Sequence, residues 1–258
     1  MLVDEPAPGV ARLTISNPGR RGALDHPILD GIAATMSELD ARCVILTGEN
    51  ETFSAGYDIG DLGGWDRLFV DEAERLVAHP FTAAIDAVDA YPYPTLAALN
   101  GHAIGGGLEL ALSCDLRIAA TSIKLGMPPA KLGLVYSHTG IRKFIDAIGA
   151  PRTRELFLVG GRIDAATAHT WGLVNRLADP DELAAHTIEL ATELAGNAPL
   201  AQRGNKRVIR EVLDAQSRLG ADVERELIEL RRECFSSEDF REGVRAFAEK
   251  RPPRWQGR

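Results

Sequence analysis

The stretch HAIGGGLELALSCD at 102–115 sets three glycines, Gly105, Gly106 and Gly107, directly before an apolar run holding a single carboxylate, Glu109. Glycine is a poor helix former, so three in succession at a helix entrance leave main-chain N–H groups uncovered. Such a backbone suits the holding of an oxygen that becomes negative during a reaction. A second glycine-containing stretch, FSAGYDIGDL at 53–62, likewise follows a segment of strand character. N–H groups from Ala55 and Gly106 could converge on one oxygen, and a helix beginning near Gly107 would add its positive end. Losing one donor of such a pair typically costs about 2.7–4 kcal/mol of transition-state stabilisation. The glycines also have a packing explanation, because they let a strand and a helix approach closely. Spacing alone leaves both explanations open.

Other chemistries fail on spacing. Gly105 and Gly107 supply the first two positions of G-x-G-x-x-G, but Leu110 stands at the third. No Walker A lysine follows a glycine loop, and no G-x-S-x-G elbow occurs. Ser137 and His138 are sequence neighbours, which point in different directions on a helix. The six histidines lack the i, i+4 spacing of a helical zinc site and no C-x-x-C is present, so no metal is expected. The 258 residues are 45% hydrophobic and 26% charged, which suits a globular protein with a sizeable core. A net charge of −8 disfavours nucleic acid and anionic membranes as partners. Cys43, Cys114 and Cys234 are odd in number, two of them in apolar runs, and read as reduced thiols of a cytoplasmic protein. The start MLVDEPAPGV lacks the basic and apolar regions of a secretory signal, and no run approaches the roughly 18 apolar residues of a membrane span.

The elements around these residues follow from period and punctuation. GVARLTI alternates as a strand that NPG stops, and from Pro27 the residues Ile28, Ile32, Met36 and Leu39 share one helical face. ARCVILTG, PTLAALNG and DLRIAA read as further strands, with a helix over 70–89 that Pro80 should kink. After residue 138 the chain turns helical. Gly149 is a helix stop, Pro151 opens the next helix, and Asp179 is expected to cap another. The last helix opens at SSED (236–239) and ends at RPP. Alternating strands and helices predict an α/β core over residues 1–195 and a helical region over 196–258.

Several of these motifs, in order, resemble the crotonase family, the enoyl-CoA hydratase/isomerase superfamily. They are NPGRRGALD, RCVILTG, FSAGYDIGDL, GHAIGGGLELALSCDLRIAA, GLVNRL and SEDFREGVRAFAEKRPP, and they span most of the chain. The resemblance implies an α/β spiral of ββα units with a helical C-terminal trimerisation region, in a homotrimer or dimer of trimers. It implies an acyl-CoA thioester substrate, with CoA as part of that substrate and no separate cofactor. Ala55 and Gly106 would then be the oxyanion-hole donors. Arg21, Ala23 and Leu24 match the segment that lies along CoA, and Asp58 and Ile59 match residues flanking the adenine pocket. Phe247 and Lys250 match the C-terminal helix that approaches CoA, in some members from a neighbouring subunit.

Hydratases of the family use two glutamates. Glu109 matches the first, while Pro129 stands where the second belongs and can neither give nor take a proton. The segment MPPAKLGLVYSHTGIRKF resembles instead the methylmalonyl-CoA decarboxylase branch, which has a tyrosine where Tyr136 stands. That branch has a histidine at Tyr57 and an arginine at Thr82, so this chain departs from it at two positions. Decarboxylation needs no base, only a carboxylate turned perpendicular to the thioester plane and a hole for the enolate. Three functions remain: a malonyl/methylmalonyl-type decarboxylase using Tyr136, a hydratase or isomerase using Glu109 as sole acid/base, and a non-catalytic CoA-thioester-binding module.

Overall fold

The alternation at 10–15 becomes β2 (Val10–Ile15), with Val10, Leu13 and Ile15 buried. In this computed structural model, which describes residues 1–57 and 80–258, β2 pairs in parallel with β3 (Cys43–Gly48). β5 (Thr95–Leu99), β7 (Leu116–Ala120) and β10 (Arg176–Ala178) extend the same sheet, all parallel. Strands covered on both faces read as unbroken apolar runs, as CVIL and TLAAL do. β1 (Leu2–Ala7) forms the antiparallel outer edge. Asp4, Glu5 and Pro6 hide it from pattern reading, and an edge strand tolerates them.

β3, β5 and β7 each lead round a tight corner into a short strand of a second sheet: β4 (Thr52–Ser54), β6 (His102–Ile104) and β8 (Lys124–Gly126). β9 (Arg162–Asp164) closes that sheet against β8. Strands of three residues are too short to display a period, so the second sheet is invisible in the sequence. The paired ββ corners with helices behind them are the expected ββα spiral. α1 (His26–Glu38) buries Ile28, Leu29, Ile32 and Met36, and Asp25 caps it by accepting the Ile28 N–H at 2.9 Å. α2 (Thr82–Ala90) packs on α1. The part of the expected helix over 70–79 lies outside the described residues. α3 (Gly106–Leu112) follows β6 and is buried along its whole length.

α4 (His138–Arg154) breaks at Gly149 (φ 74°, ψ 163°), where the sequence puts a helix stop, and resumes through Pro151. α5 (Ala165–Trp171) and α6 (Leu183–Gly196) complete the core. Asp179 does not cap α6 as expected. Its carboxylate accepts the Thr121 hydroxyl at 3.3 Å, and its carbonyl closes a turn through Glu182 and Leu183 before the helix starts. From residue 199 only helices follow: α7 (Pro199–Gln216), α8 (Ala221–Ser236) and α9 (Glu238–Ala248). The SSED reading holds, since the Ser237 hydroxyl accepts the Phe240 N–H at 3.0 Å. All three cysteines are free, and burial pushes Cys43 and Cys114 up to about 12. No described helix is long and apolar enough to cross a membrane.

Candidate active site

Parallel pairing of β4 with β6, Thr52 opposite His102 and Ser54 opposite Ala103, carries both chains forward so that 55–57 run beside 105–107. The approach is close. A Cβ on Gly107 would lie 2.5 Å from the Ser54 Cβ, and one on Gly56 would lie 3.2 Å from the Gly106 nitrogen. Gly105 turns the chain into α3 at φ 55°, ψ −126°, a conformation L side chains rarely adopt. The packing explanation for the glycine run thus holds at Gly107 and the conformational one at Gly105. Gly106 does something else: the Tyr57 ring covers its α-carbon, with the nearest ring carbon 3.1 Å from where a Cβ would be.

The donor pair differs from the sequence expectation. The Ala55 N–H donates to the Arg21 carbonyl at 3.0 Å, which commits it inside the protein. The Gly56 N–H is likewise taken, by the Ser54 hydroxyl at 3.1 Å. By contrast, the N–H groups of Tyr57 and Gly106 meet no acceptor among the described residues. Counting along FSAGYD cannot reveal this, because the Arg21 carbonyl arrives from a distant loop.

Glu109 sits one turn into α3, 3% exposed. The Tyr136 hydroxyl donates to its Oε2 at 2.5 Å. Burial pushes the Glu109 carboxyl up to about 7, against the lowering effects of the Tyr136 bond and the Lys143 charge. Burial, and next the Glu109 charge, likewise hold the Tyr57 and Tyr136 hydroxyls well above the usual tyrosine range, and the two hydroxyls interact. Edge-on aromatic contacts fix both rings, Tyr57 on Phe81 at 4.5 Å and Tyr136 on Phe157 at 5.6 Å between centroids. Ser137 caps α4 by accepting the Gly140 N–H at 3.1 Å. A Cβ on Gly140 would stand 2.7 Å from the Tyr136 ring and 2.8 Å from Glu109 Oε1, so glycine there lets α4 close on the pair.

Gly140 and Lys143 are site residues that sequence reading missed. Neither carries a signal of its own in the sequence, because it is the docking of α4 that brings them to Glu109 and Tyr136. Lys143, ion-paired to Asp89 at 3.6 Å, provides the cation nearest in effect to Glu109, where the chain has Thr82 rather than an arginine. Pro129 is buried in a 3-10 turn.

The expected coenzyme positions lie on three separate stretches of the chain. Ala23 and Leu24 are buried, Leu24 completely, and Leu24 pairs with the 56–57 backbone. Arg21 is exposed, in the left-handed region at φ 54°. Asp58 and Ile59 lie outside the described residues. Phe247 is exposed near the end of α9 and Lys250 just beyond it, and neither bonds to Glu109 or Tyr136.

A family profile described as enoyl-CoA hydratase/isomerase matches residues 5–258. The chain belongs to that family. It is a crotonase-superfamily acyl-CoA enzyme, and the reading as a non-catalytic binding module falls away. A putative enoyl-CoA hydratase/isomerase of Bacillus subtilis is 35% identical over 253 residues, covering 96% of this chain and 95% of that one. A methylmalonyl-CoA decarboxylase complexed with 2S-carboxypropyl CoA has a TM-score of 0.88 at 29% identity, covering 100% of this crotonase and 98% of that chain. An enoyl-CoA hydratase from Bacillus anthracis has a TM-score of 0.78 at 30% identity, covering 100% and 99%.

Proposed function

We propose that this crotonase decarboxylates a malonyl- or methylmalonyl-type CoA thioester. The observation that carries the reading is the Tyr136 hydroxyl bonded to Glu109, with a buried proline where a hydratase of this family has its second acid. The thioester carbonyl oxygen accepts the Gly106 and Tyr57 N–H groups. When Glu109 is protonated the Tyr136 hydroxyl leaves it, donates its one proton to the substrate carboxylate and turns it so that its C–C bond stands perpendicular to the thioester plane. That bond breaks, its electron pair moves into the carbonyl as an enolate, and CO2 departs. The two N–H groups hold the enolate oxygen. Glu109, with its carboxyl near 7, carries a proton in part of the molecules at neutral pH and can return one to the enolate carbon.

A second reading, hydration or isomerisation by Glu109 alone, is favoured by that same raised carboxyl, which is poised for acid/base work. Two variants, with CO2 release, hydration and double-bond migration followed separately on a panel of CoA thioesters, decide between them. For the decarboxylase, Tyr136→Phe slows CO2 release by about one to two orders of magnitude, the value of a hydrogen bond to a charged group, while Glu109→Gln matters less. For the hydratase or isomerase, Glu109→Gln costs about 10²–10⁴-fold and Tyr136→Phe little. Turnover abolished by Glu109→Gln and untouched by Tyr136→Phe would sink the decarboxylase.

A further inference from the structure

α8 turns one stripe inward: Leu227, Ile228, Arg231 and Cys234 are half-buried and Phe235 is buried, at helical spacing. Two contacts fix where this stripe lies. Glu224 bonds the His138 ring at 3.2 Å, and the Cys234 thiol donates to the Gly133 carbonyl at 3.0 Å. Arg231 falls between them, over the 133–138 segment that carries Tyr136. A charged residue therefore occupies a position where the pattern calls for an apolar one.

The guanidinium has no partner among the described residues. Its Nε is buried without a hydrogen bond. Arg42 and Arg142 also have an unpartnered Nε, but Arg42 donates through Nη2 to the Asn197 carbonyl and Arg142 through Nη2 to Asp214. Buried Arg117 is satisfied at both ends, by the Leu173 and Cys114 carbonyls. Arg231 makes no hydrogen bond or ion pair among the described residues. Its charge is felt at the Tyr57 hydroxyl, whereas the charges that bear on Glu109 are those of Lys143 and Asp86. Arg231 has its place where α8 crosses the 133–138 segment that carries Tyr136. A guanidinium Nε–H buried without an acceptor is costly, and a carboxylate matches the planar fork to which it belongs.

We propose that Arg231 is a specificity residue that receives a carboxylate borne by the acyl group of the substrate, where α8 passes over the 133–138 segment. The proposal rests on the acyl-CoA reading but not on decarboxylation. An arginine bonded to a carboxylate lowers the energy of the bound ground state, so its effect falls on binding and KM rather than on kcat.

The test uses S-carboxyalkyl-CoA thioethers of increasing chain length, which have no thioester carbonyl and undergo no enolate chemistry. Calorimetry on the full-length protein compares each with its isosteric carboxamide. The wild type is expected to bind at least one carboxylate tenfold or more tightly than its carboxamide. Arg231→Met should abolish that preference, leave carboxamide binding within twofold, and keep the far-ultraviolet circular dichroism of the wild type. Arg231→Lys should retain part of it. A wild type indifferent to the carboxylate overturns the proposal even if no variant folds, as does a preference that survives in Arg231→Met. A protein that binds these thioethers by their carboxylate yet releases no CO2 from any thioester refutes the decarboxylase reading alone.

Discussion

Replacing Tyr136 by phenylalanine removes the hydroxyl that donates to Glu109 at 2.5 Å and leaves the ring against Phe157. The bond favours the ionised carboxylate, so it pulls the Glu109 carboxyl down from where burial alone would put it. A hydrogen bond to a charged group is worth about 1.5–3 kcal/mol, and about 1.36 kcal/mol corresponds to one pKa unit. Glu109 in Tyr136→Phe should therefore titrate about one to two units above its wild-type position near 7. The assay is carboxyl infrared difference spectroscopy of protein with 13C-labelled glutamate, titrated from acid to pH 9, with Glu109→Gln identifying the band. A wild-type Glu109 that titrates near the ordinary glutamate value would refute the burial argument. An unshifted midpoint in Tyr136→Phe would refute the claim that the hydroxyl supports the charged form.

The same carboxyl links stability to pH. Because its folded value near 7 lies above the unfolded value of 4.5, its contribution is fully present below about 4.5 and is lost as pH rises through 7. Glu109→Gln, which does not titrate, should gain on the wild type by on the order of 3 kcal/mol between acid and pH 8, read from urea midpoints, and parallel midpoints across that range would contradict it. Gly106→Pro removes one donor of the proposed oxyanion pair and should lower kcat at least about a hundredfold in a protein whose circular dichroism is unchanged; wild-type turnover would rule the hole out. We propose a trimer or dimer of trimers, supported by the exposed Val208, Ile209 and Val212 on one face of α7. Sedimentation at micromolar concentration checks it, and a monomer would refute it.

The local patterns were legible in the sequence. β2, α1, the break at Gly149 and the Ser237 cap follow from apolar period, a proline, a glycine and a hydroxyl, each acting within a few residues of itself. The glycine run and the one carboxylate behind it were legible too, because main-chain exposure and the lack of a second acid are properties of composition. What the sequence could not decide were relations between distant segments. The sequence points to the Ala55 N–H as a donor, but the Arg21 carbonyl satisfies that group, while the Tyr57 N–H meets no acceptor among the described residues. Asp179 has the chemistry of a cap, yet Thr121 from a neighbouring strand end takes its carboxylate. Burial of α3 on all sides pushes the Glu109 carboxyl up to about 7, against the lowering effect of the Tyr136 hydroxyl that docks across it. A backbone group bonds to whatever acceptor the fold brings near it, and a charge answers to the solvent that the fold removes. Both depend on where distant segments come to rest, which only the tertiary structure decided.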